Sequence, residues 1–176
     1  SFMGSEYYNT PHIDALASQG LVFTQGYAAA SNCAPSRASI RSGKWTTRHQ
    51  IYTVENSDRG KASDRKLIPI NNTTVLDKKF TTLSQKLKQK GYNTCHSGKW
   101  HLSNDPLEYG FDVNIAGGLH GAPGSYYLPF GNKKNQIKIE NGKSEYLTDR
   151  IMEKTLLFLD DVNGPFFLNY SPYAVH

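Results

Sequence analysis

Apolar and polar residues alternate in blocks along the chain, and the period within each block predicts its element. Thr10 and Pro11 stand where a helix cap and its first turn belong, Ile13, Leu16 and Ala17 recur at helical spacing, and Gly20 stops the pattern. "LVFTQGYA", residues 21–28, reads as a strand. Pro35 opens a second helix that closes near Gly43, and residues 44–72 are polar and irregular, which predicts a long surface loop. "TLSQ", residues 82–85, has the spacing of a capping box for a helix running to Gly91. "YNTCHSGKWHL", residues 92–102, predicts a strand and its exit loop. Residues 103–143 are rich in Gly, Pro, Asn and Tyr and read as loop or insertion, a place for substrate contacts. The clearest helix spans residues 145–162, with Leu147, Ile151, Thr155, Phe158 and Leu159 on one stripe and Gly164-Pro165 as its stop. "FFLNYS", residues 166–171, follows as a buried strand.

Helix followed by strand, repeated, with near-continuous apolar strands, predicts an α/β fold with a largely parallel sheet flanked by helices. Such sheets gather their sites at the carboxyl ends of the strands, and His101 and His176 each stand just past the apolar part of one.

Composition narrows the class. The 176 residues are 38% hydrophobic and 20% charged, which is globular and large enough for one domain with a core. The net charge of +5 is spread along the chain, and Lys86, Lys88 and Lys90 read as a solvated helix face, so nothing points to nucleic acid. No apolar run approaches the ~20 residues of a membrane span. The first residues, Ser1-Phe2-Met3-Gly4, lack the basic start and apolar stretch of a signal peptide. Cys33 and Cys95 are the two cysteines and make no disulfide framework. Cys95 reads as a packed strand residue, and Asn72-Thr73-Thr74 fits a glycosylation pattern.

The run "NCAPSRASIRSG", residues 32–43, carries the candidate chemistry. Pro35 places Cys33 at or just before a helix N-terminus, where free N–H groups favour an anion. Arg37 is four residues on, one helical turn away, with a side chain shaped to hold an oxyanion in two hydrogen bonds. The residues alone leave two readings open: an anion site built around a reactive group, or a small buried thiol beside a solvated arginine. A phosphatase-type thiolate loop fails on the spacing of Cys33 and Arg37.

Four segments together resemble the sulfatase family, in order and over nearly the whole chain. "CAPSRASIRSGK", residues 33–44, is similar to the family signature, with Ile40-Arg41 where leucine is commoner. "NTPHIDALASQGLVFTQGY", residues 9–27, resembles the first helix and strand, "GYNTCHSGKWHL", residues 91–102, the Gly-Lys-Trp-His strand end, and "PFFLNYSPYAVH", residues 165–176, the strand leading to a substrate histidine. The resemblance implies a sulfuric ester hydrolase. In it Cys33 is oxidised to formylglycine by a separate maturing enzyme that reads Cys33, Pro35 and Arg37, and one hydroxyl of the hydrated aldehyde attacks the sulfate ester while the other later expels sulfate. Arg37 would hold the hydrated aldehyde, Lys99 would contact it and the sulfate, His101 would assist proton removal, and His176 would bind sulfate and protonate the leaving alcohol. On a strand, Lys99 and His101 would face one side with Trp100 turned away. The remaining histidines, His12, His49, His96 and His120, carry no implied role, though His120 lies in the Gly-rich insertion and is placed to touch substrate.

The resemblance also implies a calcium ion held by formylglycine at position 33, by an Asp pair on a first strand and by a later Asp with Asn or His. No Asp pair precedes residue 9, and Asp160-Asp161 matches neither position. Residues 1–176 are therefore expected to be an interior part of a single catalytic domain, incomplete at both ends, with the other metal ligands outside this chain. Family members work in the periplasm, the lysosome or the secretory route. Two rival functions remain: a related metal-dependent phosphoryl or phosphonate hydrolase, which Cys33 argues against, and a non-catalytic binder of sulfated glycans. The Tyr- and Gly-rich residues 103–143 suggest a carbohydrate substrate, of a sulfated galactose type.

Overall fold

The computed structural model describes residues 1–131 and 137–174. Five α-helices are formed among them, α1 (Pro11–Gln19), α2 (Cys33–Ser42), α3 (Thr46–His49), α4 (Leu83–Lys88) and α5 (Leu147–Asp161), with three strands, β1 (Asn93–Gly98), β2 (Val113–Ile115) and β3 (Phe166–Ser171). The strands form one parallel sheet in the order β2-β1-β3. Cys95 pairs with Val113 on one side and Leu168 on the other, and Gly98 ends the register opposite Ser171.

Each face of the sheet has its own core. On one, Cys95 and Ile115 pack with Leu147 and Ile151 of α5. On the other, Trp100, Leu102, Tyr109 and Phe111 pack with Ala34 and Ala38 of α2. The α/β architecture with helices on both faces is the one the alternation of elements predicts.

The central strand departs from expectation. β1 is buried from Thr94 onward yet reads Asn-Thr-Cys-His-Ser-Gly rather than apolar. Its polar groups are paired instead. Thr94 Oγ1 donates to Gly110 O at 2.8 Å, Ser97 Oγ lies 2.7 Å from Thr155 Oγ1 of α5, and His96 bonds at both ring nitrogens. Buried polar groups are tolerated when satisfied in this way.

Other expectations also need correction. Residues 21–28 form no strand: Leu21, Phe23 and Tyr27 are all exposed, and among the described residues no strand lies beside them to take up their N–H and C=O groups. α2 starts at Cys33, two residues before Pro35, with Ser36 N donating to Asn32 O at 3.2 Å. The predicted 44–72 loop contains α3, and the predicted 103–143 insertion contains β2 and a 3₁₀ turn at Pro106–Tyr109. Three-residue β2 is too short to leave a readable period. The capping box is present, with Thr82 Oγ1 accepting from Gln85 N and Gln85 Oε1 accepting from Thr82 N.

Gly98 is where the fold hands over to the site. Its φ is +94°, and a Cβ there would lie 2.1 Å from Ser171 O, the atom that accepts from Lys99 N at 2.7 Å. Gly43, the α2 cap, has φ +64° but open space around it. Gly43→Ala is therefore expected to cost about 1 kcal/mol from the left-handed backbone alone, and Gly98→Ala about 3 kcal/mol or more from strain plus backbone collision. Denaturant unfolding of both variants in the full-length protein measures the difference; equal losses would contradict this packing.

Candidate active site

The site forms where α2 points its N-terminus at the carboxyl ends of β1 and β3. Cys33 is the first residue of α2 and is half-buried, so its side chain sits among the helix's unsatisfied N–H groups. Cys33 Sγ lies 3.3 Å from His101 Nδ1. Lys99 is buried, and its pKa is lowered by that burial while Cys33, near enough to act as a charge and a hydrogen-bond partner, pulls the other way. Arg37 Nη1 donates to Lys99 O at 2.6 Å and to Ser171 Oγ at 3.2 Å.

Cys33, Arg37, Lys99 and His101 thus converge, but not by strand alternation. β1 ends at Gly98, and His101 has a positive φ of 65° with its N–H donating to Gly118 O at 2.8 Å. The chain turns out of the sheet and brings both side chains back to α2. Trp100 between them is buried, its Nε1 donating to Ser103 Oγ at 2.7 Å. The turn holds because Trp100 stacks edge-on with His96 and Phe111 in the core. His176 lies outside the described residues.

The electrostatics are one-sided. Lys99 and Arg41 are buried and Arg37 is partly so, and among the described residues none of the three is ion-paired with a carboxylate. Burial lowers the pKa of Arg37, and burial with the neighbouring Arg37 charge brings Arg41 down to about 10, so the Arg41 guanidinium stays protonated at neutral pH. Unpaired buried charges cost several kcal/mol each, so such a cluster favours an anion as its partner. Cys95, by contrast, is fully buried against α5, and burial pushes its thiol up to about 12, which makes it inert.

Several neighbours carried no signal in the sequence. Gly121 lies flat on the His101 ring, where a Cβ would come within 2.4 Å of Cε1. Ser171 takes one Arg37 bond. A cleft of about 580 Å³ opens beside Cys33 and His101 and is lined by Thr53, Glu55, Asn56, Thr74 and His120 among others. Thr53 and Asn56 come from a stretch that reads only as polar loop, and it is the fold that brings them to Cys33. Of the four histidines without an implied role, His120 lines this cleft, His96 is a buried strand residue and His49 is buried with Nε2 3.0 Å from Ser39 Oγ.

Calcium finds few partners here. Among the described residues no group of three or more His, Cys, Asp or Glu could hold a metal ion, which leaves position 33 as the single candidate ligand and a cationic neighbourhood around it. These residues do not by themselves fit a calcium site, which wants six to eight oxygens, and no step below is routed through one. No helix among the described residues is long and apolar enough to cross a membrane.

The chain is 32% identical over 179 residues to an N-acetylglucosamine-6-O-sulfatase of Bacteroides thetaiotaomicron, covering 100% of this chain and 28% of that protein. It is 27% identical over 199 residues to human N-acetylgalactosamine-6-sulfatase, covering 98% of this chain and 36% of that protein. The chain therefore spans about a third of the length of these relatives. Among solved structures, that of BT4656 in complex with its substrate D-glucosamine-2-N,6-O-disulfate superposes with a TM-score of 0.71 at 30% identity, over 98% of this chain and 31% of that one. The Sulfatase family profile matches residues 1–176 throughout, and the chain belongs to that family.

Proposed function

We propose that the protein containing this chain hydrolyses the sulfate ester of a carbohydrate, that residues 1–176 form part of its one catalytic domain, and that Cys33, matured to formylglycine by a partner enzyme, is its nucleophile. The observation that carries this reading is the pair of cations, Arg37 and Lys99, beside Cys33 with no carboxylate paired to either among the described residues. A sulfate ester brings the missing negative charge. The relatives named above act on 6-sulfated amino sugars, and the cleft beside Cys33 offers the hydrogen-bonding groups that sugar hydroxyls need, from Thr53, Asn56, Thr74 and His120.

Position 33 suits the modified residue: it is half-exposed, at a helix N-terminus, and next to a base. Hydrated formylglycine supplies two hydroxyls on one carbon, one to take the sulfate from its ester and one to release it. The chain's own residues do the rest. Lys99 places its ammonium on the sulfate oxygens, where desolvation strengthens the attraction. His101 stands with Nδ1 beside the side chain of residue 33 and takes a proton from the hydroxyl that forms there. Arg37 adds charge and ties Lys99 to α2 through the Lys99 carbonyl. His176 protonates the departing sugar oxygen in this reading.

In protein made by a host with the maturing enzyme, a mass spectrum of the peptide spanning Cys33 shows the aldehyde in place of the thiol, and Cys33→Ala removes turnover while leaving the unfolding midpoint nearly unchanged. Fully active protein carrying only the free thiol would overturn the assignment. Lys99→Met and His101→Gln are each expected to lower kcat roughly 10²–10⁴-fold. Gly121→Ala is expected to push the His101 ring off position 33 and lower kcat by about 10²-fold. Steady-state kinetics on a 6-sulfated amino sugar measures all three, and wild-type rates in Lys99→Met and His101→Gln together would remove these residues from the reaction.

A further inference from the structure

One buried chain of polar groups has no part in the chemistry above. Arg41 lies one turn past Arg37 on α2, and its Nη2 donates to Asn169 Oδ1 of β3 at 2.5 Å. A guanidinium can only donate, so the Asn169 amide is turned with its oxygen toward Arg41 and its NH2 toward His96. Asn169 Nδ2 lies 2.7 Å from His96 Nδ1, which must then accept. The proton of the neutral ring is left on Nε2, which donates to Gly98 O at 3.0 Å. All three side chains are buried, and burial together with the Arg41 and Arg37 charges pushes the His96 pKa down to about 3, so the ring stays neutral.

The chain of bonds ends at the peptide that carries Lys99. Gly98 O is held by His96, Lys99 N donates to Ser171 O at 2.7 Å, and Lys99 O accepts from Arg37 at 2.6 Å. The backbone on both sides of Lys99 is therefore tied to α2: directly through Arg37, and indirectly from Arg41 through Asn169 and His96. Since α2 also begins at Cys33, the same helix sets both the nucleophile and the cation that must face it.

We propose that Arg41, Asn169 and His96 form a positioning relay that fixes the Gly98–Lys99 peptide and so holds the Lys99 ammonium against residue 33. The proposal rests on the reading of residue 33 and Lys99 as the reaction centre. None of the three relay residues touches substrate. The relay has a direction, set by the guanidinium, and an isosteric change can reverse it. In Asn169→Asp the carboxylate still accepts from Arg41, and gains an ion pair, but has no N–H for His96 Nδ1. His96 must either move its proton to Nδ1, which sets its bare Nε2 against Gly98 O, or take up a second proton and bring a charge beside Lys99. Both disturb the Lys99 peptide while leaving the fold supported.

The test uses full-length protein with Asn169→Asp, His96→Gln and His96→Leu. On a sulfate ester, Asn169→Asp is expected to lower kcat about 10–100-fold with KM changed less than about threefold, because the loss is one of geometry at the reacting atoms. His96→Gln, whose amide both donates and accepts, is expected to keep about tenfold more kcat than His96→Leu, which does neither. Amide hydrogen exchange of the peptide covering residues 96–102 is expected to quicken in Asn169→Asp while that of α5 does not. Wild-type kcat in Asn169→Asp overturns the relay, and so does His96→Gln falling as far as His96→Leu. If wild-type protein hydrolyses no sulfate ester, the functional reading fails, and the relay is then decided by exchange: an unchanged rate at residues 96–102 in Asn169→Asp overturns it.

Discussion

Positive charge taken out of water must be answered, and among the described residues no carboxylate answers it at this site. Lys99 is buried and Arg37 partly so beside the N-terminus of α2, whose own N–H groups add partial positive charge at Cys33, and Arg41 is buried in the last turn of the same helix. The hydrogen bonds of the two guanidiniums go to neutral acceptors, Lys99 O, Ser171 Oγ and Asn169 Oδ1. Neutral acceptors orient a guanidinium without cancelling it. The field is therefore kept for whatever enters the cleft, and preorganised charge of this kind supplies much of the rate enhancement in many enzymes.

The polar makeup of β1 follows from the same constraint. A strand of valines would pack well between α2 and α5, but it would give the Asn169 amide N–H and the Gly98 carbonyl nothing to bond. His96 supplies those bonds in a layer otherwise filled by Trp100, Tyr109 and Phe111. A half-satisfied network in that layer would be worse than none. Gly98 completes the arrangement, since only a residue without Cβ lets β1 leave the sheet against Ser171 O.

Much of this was legible in the sequence, for identifiable reasons. α5 is long and strongly periodic, and the Thr82–Gln85 capping box is a local signal, so both appear where the pattern puts them. Cys33, Arg37, Lys99 and His101 were legible as a set because they sit in short contiguous runs. What was not legible depends on distance along the chain. Residues 21–28 carry strand-like residues, but a strand exists only with a partner, and none of the described residues supplies one. β2 is three residues long. His96, Asn169 and Arg41 come from three separate segments, and nothing in any one of them marks it as part of a network. Gly121 is one glycine in a glycine-rich stretch, and its contact with the His101 ring is a property of the fold.

If the buried cations are left unpaired in order to hold an anion at residue 33, that anion should bind even where no turnover is possible. Calorimetric titration of inorganic sulfate into full-length Cys33→Ala protein measures this directly. Saturable binding is expected at one site per chain, displaced by a sulfated sugar and weakened about tenfold or more by Lys99→Met, as for loss of one charge-assisted hydrogen bond. Absence of saturable binding, or binding that Lys99→Met leaves unchanged, would contradict it.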